Sequence, residues 1–148
     1  MRLPLLFLIP VAAVVSSCSP TVNVRSGNFN QDKALATTEV VRFHERYNAD
    51  QFATIYNEAD PLFQKSANQS AITSSMQTAK QRFGNIVSAV KVGENAFPGG
   101  QVRVVYNLKC ALGNASEQFI WQSDGQKVTL QMVKMSPGTV KPSEKFKP

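Results

Sequence analysis

From residue 31 to 47 the apolar residues Ala36, Val40, Val41, Phe43 and Tyr47 recur at spacings of three and four, which predicts an amphipathic helix. Asn48-Ala49-Asp50 interrupts it, and Asp50 is placed to cap a second helix that buries Phe52, Ile55, Tyr56 and Ala59. Asp60-Pro61 pairs a capping side chain with the proline that a first helical turn accepts, so a short turn holding Leu62 and Phe63 follows. A third long helix is expected from about Ser70 to Phe83, with Ile72, Met76, Ala79 and Phe83 on one face and Gly84 as its stop. Beyond Gly84 the period changes from three or four to two. Ile86 to Val92 reads as a strand, and Phe97-Pro98-Gly99-Gly100 as the loop after it. Val102, Val104, Tyr106, Leu108, Cys110 and Leu112 then alternate with Arg103, Asn107 and Lys109, and Gly113-Asn114 is read as a tight turn. Ala115 to Gln122 returns with Phe119 and Trp121 on one face, and Asp124-Gly125 forms a hairpin. Lys127 to Met135 closes the meander, with Val128, Leu130 and Met132 facing inward.

The pattern predicts an α+β domain over residues 31–136: N-terminal helices packed on one face of a curved four-stranded antiparallel meander. Before it, residues 18–30 carry Pro20, Ser26, Gly27 and three asparagines without apolar periodicity, and read as a tether. After it, residues 137–148 are polar and basic, and are expected to be a flexible tail.

The first 17 residues are a different kind of segment. A single charge at Arg2 opens an apolar run from Leu3 to Val15, and Val15-Ser16-Ser17-Cys18 closes it. The run is shorter than the roughly twenty residues a spanning helix needs, and Pro4 and Pro10 interrupt it. The segment resembles a bacterial lipoprotein signal peptide. The resemblance implies that residues 1–17 are removed and that Cys18 becomes the acylated first residue, inserted in a lipid bilayer. In that family an Asp directly after the cysteine marks retention in the inner membrane. Ser19 stands there, so the implied location is the cell envelope, on the outer membrane facing the periplasm. Each buried methylene is worth about 0.8 kcal/mol, so two or more acyl chains hold durably.

Charge adds little to this. The formal net charge is +6 and falls to +5 without Arg2, spread over scattered lysines and arginines. Solubility accounts for it, and nucleic acid is not an expected partner. With Cys18 acylated, Cys110 has no partner for a disulfide within the chain and reads as a buried small hydrophobe.

Phe43, Tyr47-Asn48, Phe52, Ile55-Tyr56, Pro61, Phe63 and Phe83-Gly84, with helices ahead of a meander, resemble small exported bacterial domains of the cystatin-like superfamily, which includes nuclear transport factor two and ketosteroid isomerase. The resemblance implies a cone-shaped space between helices and sheet. Phe52, Tyr56, Phe83, Tyr106, Cys110 and Trp121 are the candidate pocket lining. That superfamily holds enzymes, ligand binders and interaction modules, so chemistry has to come from the residues.

They offer no catalytic set. His44, the only histidine, sits beside Phe43 and Glu45 off the main apolar stripe and is expected on a solvated helix face. Glu94, Glu117 and Asp124 are expected in turns or near strand ends, and capping accounts for Asp50 and Asp60 beside Glu58. No metal-ligand spacing and no cofactor motif is present, so no metal and no cofactor is expected. Asn68-Gln69-Ser70 and Asn114-Ala115-Ser116 match glycosylation acceptors only formally. The expected role is a non-catalytic, membrane-anchored envelope module that binds an unidentified protein or small ligand. The alternatives are an inhibitor or immunity lipoprotein against a periplasmic hydrolase or toxin, and a small-molecule enzyme using the cone. The last requires an inward carboxylate beside a cavity. The outer sheet face with Arg103, Asn107, Lys109 and Gln122 is a candidate pairing surface for a homodimer.

Overall fold

The computed structural model describes residues 28–142. The signal motif Val15, Ser16, Ser17, the acylation position Cys18 and the end of the tail lie outside them. Four helices precede four strands: α1 (Phe29–Asn48), α2 (Phe52–Asn57), α3 (Pro61–Ser66), α4 (Gln69–Phe83), β1 (Ile86–Ala96), β2 (Gln101–Cys110), β3 (Gly113–Ser123) and β4 (Val128–Pro137). The strands form one antiparallel sheet in the order β1-β2-β3-β4, and the fold is α+β.

Helix α1 begins at Phe29, two residues before the expected start at residue 31, because Asn28 caps it by accepting the Gln31 N–H at 3.3 Å. Ala36, Val40, Phe43 and Tyr47 bury its inner face. Val41, counted on that stripe in the sequence, is 55% exposed, since one position turns about 100° around a helix axis. The N-terminal turn docks on the β3–β4 hairpin: Ser123 Oγ donates to Asp32 Oδ1 at 2.5 Å, and Gln31 Nε2 donates to Gly125 O at 2.8 Å.

The junction to α2 corrects one expectation. Asp50 does not cap α2; it takes a left-handed φ of 59°, and Gln51 stands at the cap position without a side-chain bond. Lys80 on α4 claims Asp50 instead. Its ammonium donates to Asp50 Oδ1 (2.7 Å), Asn48 O (2.7 Å) and Tyr47 O (3.1 Å), and so satisfies carbonyls that the end of α1 would leave open. Asp60 does cap α3, through the Leu62 N–H at 2.8 Å, with Pro61 in the first turn. Its own N–H donates to Leu130 O and its Oδ2 accepts from Thr129, so α3 is fastened to β4. Phe63 is buried, whereas Leu62 is 62% exposed. Gly84 ends α4 with φ 78°.

Two strand expectations also change. The β2–β3 turn falls at Ala111-Leu112, not at Gly113-Asn114: Gly113 already pairs with Cys110. The Ala111 and Leu112 N–H groups donate to Asn85 O and Phe83 O, which pulls the turn onto the α4–β1 connection and leaves Leu112 exposed. On β4 a bulge at Gln131 shifts the phase, because Trp121 pairs with Leu130 while Ile120 pairs with Met132. Val128 and Leu130 face inward, but beyond the bulge the inner positions are Val133 and Met135, opposite Phe119 and Glu117. Met132, expected inside, is displaced to the other face.

The core is the inner row of β2 and β3 (Val102, Val104, Tyr106, Leu108, Cys110, Ala115, Phe119, Trp121) against Ala36, Val40, Phe43 and Tyr47 of α1, closed at the helical end by Phe52, Ile55, Phe63, Met76 and Phe83. The tail is fixed at its start. Asn107 on the outer face of β2 exchanges two hydrogen bonds with the backbone of Val140, at 2.8 and 2.9 Å.

Candidate functional site

The inner row of β3 carries one acid. Glu117 lies mid-strand between Ala115 and Phe119, directly opposite Tyr106 on β2 and Met135 on β4, and is 1% exposed. Its Oε2 meets His44 Nε2 of α1 at 2.6 Å. The histidine side chain is 12% exposed and packs edge-on against the rings of Phe43 and Tyr106. Helix α1 and strand β3 therefore each bring one half of a buried polar pair into an aromatic shell. Burial pushes the Glu117 carboxyl above the ordinary range, and the hydrogen bond and charge of His44 pull against that rise.

The second carboxylate oxygen, Oε1, is buried and has no hydrogen-bond partner among the described residues. The same is true of the Tyr47 hydroxyl, one helical turn from His44. Burial first, then the proximity of Cys110 and of Glu117, raises the Tyr47 phenol, so it stays an O–H donor. Both residues line one cavity of about 80 Å³ between α4 and the far half of β4, whose other walls are Phe43, Ser75, Met76, Ala79, Val133 and Met135. The residues that carry this buried acceptor and this buried donor thus line one small, mostly apolar space. Unsatisfied buried polar groups are rare in folded proteins and call for an occupant, whether water or ligand.

A larger cleft of about 360 Å³ opens on the other side of Phe43, between α1, α2 and the β3–β4 hairpin. Its floor includes Phe43, Ile55, Trp121 and Leu130. Glu39, Arg42, Arg46, Glu58 and Lys127 stand around it. Arg46 grips Glu58 through two bonds of 2.6 and 3.0 Å, and Arg42 meets Glu39 at 2.8 Å. A third, shallow hollow lies between α1 and β1, where Lys91, Thr37 and Glu94 form a polar cluster.

The six candidate pocket residues do not gather around one space. Trp121 lines the larger cleft. Phe52, Phe83, Tyr106 and Cys110 are packed into the core, and the Tyr56 hydroxyl is turned to the carbonyls of Gln64 and Ala67. Burial, followed by the Glu117 charge, raises the Cys110 thiol, which keeps it unreactive. Glu94 lies near the end of β1, as expected, and Asp50, Glu58 and Asp60 are engaged separately by Lys80, Arg46 and the α3 cap. Among the described residues no three His, Cys, Asp or Glu side chains gather at metal-binding distances, and no helix is long and apolar enough to cross a membrane.

His44 and Glu117 do not stand on the solvated helix face and near the strand end expected of them. Parity was the signal for Glu117, which shares its phase with Phe119 and Trp121. For His44 it was spacing: four after Val40 and three before Tyr47, it borders the buried stripe.

No protein-family model, no curated protein and no solved structure matches this chain.

Proposed function

We propose that this chain is an exported, lipid-anchored binding module of the cell envelope, of cystatin-like type, that holds a small ligand without transforming it. The seat is the cavity between α4 and β4. The observation that carries this reading is that Glu117 and Tyr47, whose buried Oε1 and Oη have no hydrogen-bond partner among the described residues, line one cavity with apolar walls. A ligand pocket has this composition, with apolar lining and a few placed polar groups that fix orientation. The complementary ligand is small, carries an N–H or O–H donor for the carboxylate and an acceptor for the phenol, and has a short apolar body. The export and anchoring part of the proposal is supported by the apolar run and the Val15-Ser16-Ser17-Cys18 motif.

Two measurements test it. A screen of small polar fragments by protein-observed NMR, run on the chain and on a Glu117→Gln, Tyr47→Phe double variant, should return binders that the double variant loses. A screen in which every binder is indifferent to both substitutions removes the seat. Cys18→Ala should move the protein out of the membrane fraction, and unchanged fractionation removes the anchor.

A second reading, a small-molecule enzyme, is favoured by one observation: Glu117 is an inward carboxylate raised by burial and held by a histidine beside a cavity, an arrangement suited to proton transfer. Turnover of any bound fragment that disappears in Glu117→Gln would favour this reading over simple binding.

A further inference from the structure

The larger cleft combines features that the Glu117 cavity lacks. Phe43, Ile55, Trp121 and Leu130, each 3–5% exposed, are core residues whose edges give the cleft an apolar floor. Its volume of about 360 Å³ lies in the range of small-molecule sites, roughly 300 to 1,000 Å³. Around this floor the charges are not balanced. The two carboxylates, Glu39 and Glu58, are both engaged by arginines. The cations are not used up in return. A guanidinium has about five N–H donors; Arg42 meets Glu39 only as an ion pair, and Glu58 takes two N–H bonds from Arg46. Lys127, at the hairpin end of the cleft, makes no ion pair among the described residues. Three cations, Arg42, Arg46 and Lys127, thus face two carboxylates, and the rim carries an excess of positive charge with Lys127 outside any ion pair among the described residues. Arg46 is also pre-positioned, since its bidentate grip on Glu58 fixes the guanidinium plane.

We infer that this cleft binds a single-chain anionic amphiphile, with the hydrocarbon on Phe43, Ile55, Trp121 and Leu130 and the anionic head between Arg42, Arg46 and Lys127. The shared chemistry is one negative head on one flexible chain, which a free fatty acid and a phosphate monoester both supply. This is a second site, and it does not rest on the Glu117 seat.

The cleft contains its own reporter, because Trp121 is the only tryptophan of the chain. The experiment is a fluorescence titration of the full chain carrying Cys18→Ala, so that no acyl group of its own competes. Dodecanoate, dodecyl phosphate, dodecanol and dodecyltrimethylammonium are added below their micelle concentrations. A saturable change in Trp121 emission with dodecanoate or dodecyl phosphate, and roughly tenfold weaker binding of the alcohol and the cation, is the expected result. Which of the two anions binds more tightly identifies the head group. Arg42→Glu and Lys127→Glu alter exposed side chains that the core does not need. Each should weaken the anions by roughly tenfold. No saturable change with either anion, or equal affinity for the cationic amphiphile, overturns the inference. The amphiphile series on the unsubstituted arginine and lysine rim decides this even if a charge-reversed variant fails to fold.

Discussion

His44 Nε2 on α1 and Glu117 Oε2 on β3 lie 2.6 Å apart, 73 positions apart in the chain, with the carboxylate side chain wholly buried. Removing one partner of such a pair leaves a buried carboxyl that must either stay charged without compensation or take up a proton without its hydrogen-bond partner. His44→Ala should therefore cost roughly 3 kcal/mol at neutral pH, more than an exposed helix histidine would. Urea unfolding followed by Trp121 fluorescence measures it. A loss within about 0.5 kcal/mol, the usual range for a surface substitution, would mean that the pair does not hold α1 to the sheet.

The direction of the Glu117 shift fixes a pH dependence. The folded carboxyl is raised above its ordinary value, so at mildly acidic pH the native state keeps a proton that the unfolded chain releases. Its contribution to stability is complete below the ordinary carboxylate pKa and is lost as pH rises through the native value. Glu117→Gln abolishes this titration. The stability difference between the native chain and Glu117→Gln should thus shrink as pH is raised from about 4 to 7. In His44→Ala, where nothing pulls the carboxyl back down, the decline should extend to higher pH. Parallel stability curves for the native chain and Glu117→Gln would refute the shift.

Asn48 ends α1 and grips the first residue of β1, donating to Ile86 O at 2.9 Å and accepting from Ile86 N at 2.8 Å. The side-chain amide acts as a short extra strand. Asn48→Ala leaves both backbone groups half-buried without partners and should destabilise by about 2 kcal/mol. Amide hydrogen exchange should localise the loss to the start of β1, and protection there equal to that of the native chain would contradict it.

Two adjacent glycines should behave differently. Both Gly99 and Gly100 have left-handed φ, 88° and 85°, but a Cβ at Gly99 meets open space, whereas at Gly100 it would stand 2.4 Å from Ser123 O. Gly99→Ala should cost about 1 to 2 kcal/mol from backbone strain alone. Gly100→Ala should cost upwards of about 3 kcal/mol, because the 123 backbone must move away. Thermal unfolding of the two variants side by side is sufficient; equal losses would mean that the loop yields freely.

Much of the fold was legible because its signals are local. Asp60-Pro61, Gly84 and Asp124-Gly125 act within their own turns, and each stands where a cap, a stop or a hairpin was expected. Asp50 failed because a lysine thirty positions away competes for its carboxylate. Met132 failed because a one-residue bulge leaves no mark in composition and yet inverts every later position of the strand. The site was less legible than the fold. Glu117 could be assigned to the inner face by parity, but only the crossing of α1 over β3 supplies its histidine. An acid in an apolar row looks like an exception until its partner is found on another element.

The bulge at Gln131 also carries a consequence for descent. Leu130 on the cleft and Val133 and Met135 on the cavity belong to one strand and face the same side of the sheet only because one residue has been inserted between them. An uninterrupted strand would send one group or the other to the opposite face. The coexistence of the two spaces therefore depends on a single codon: a lineage that deleted it would keep one concavity and forfeit the other, without any change to the residues that line either.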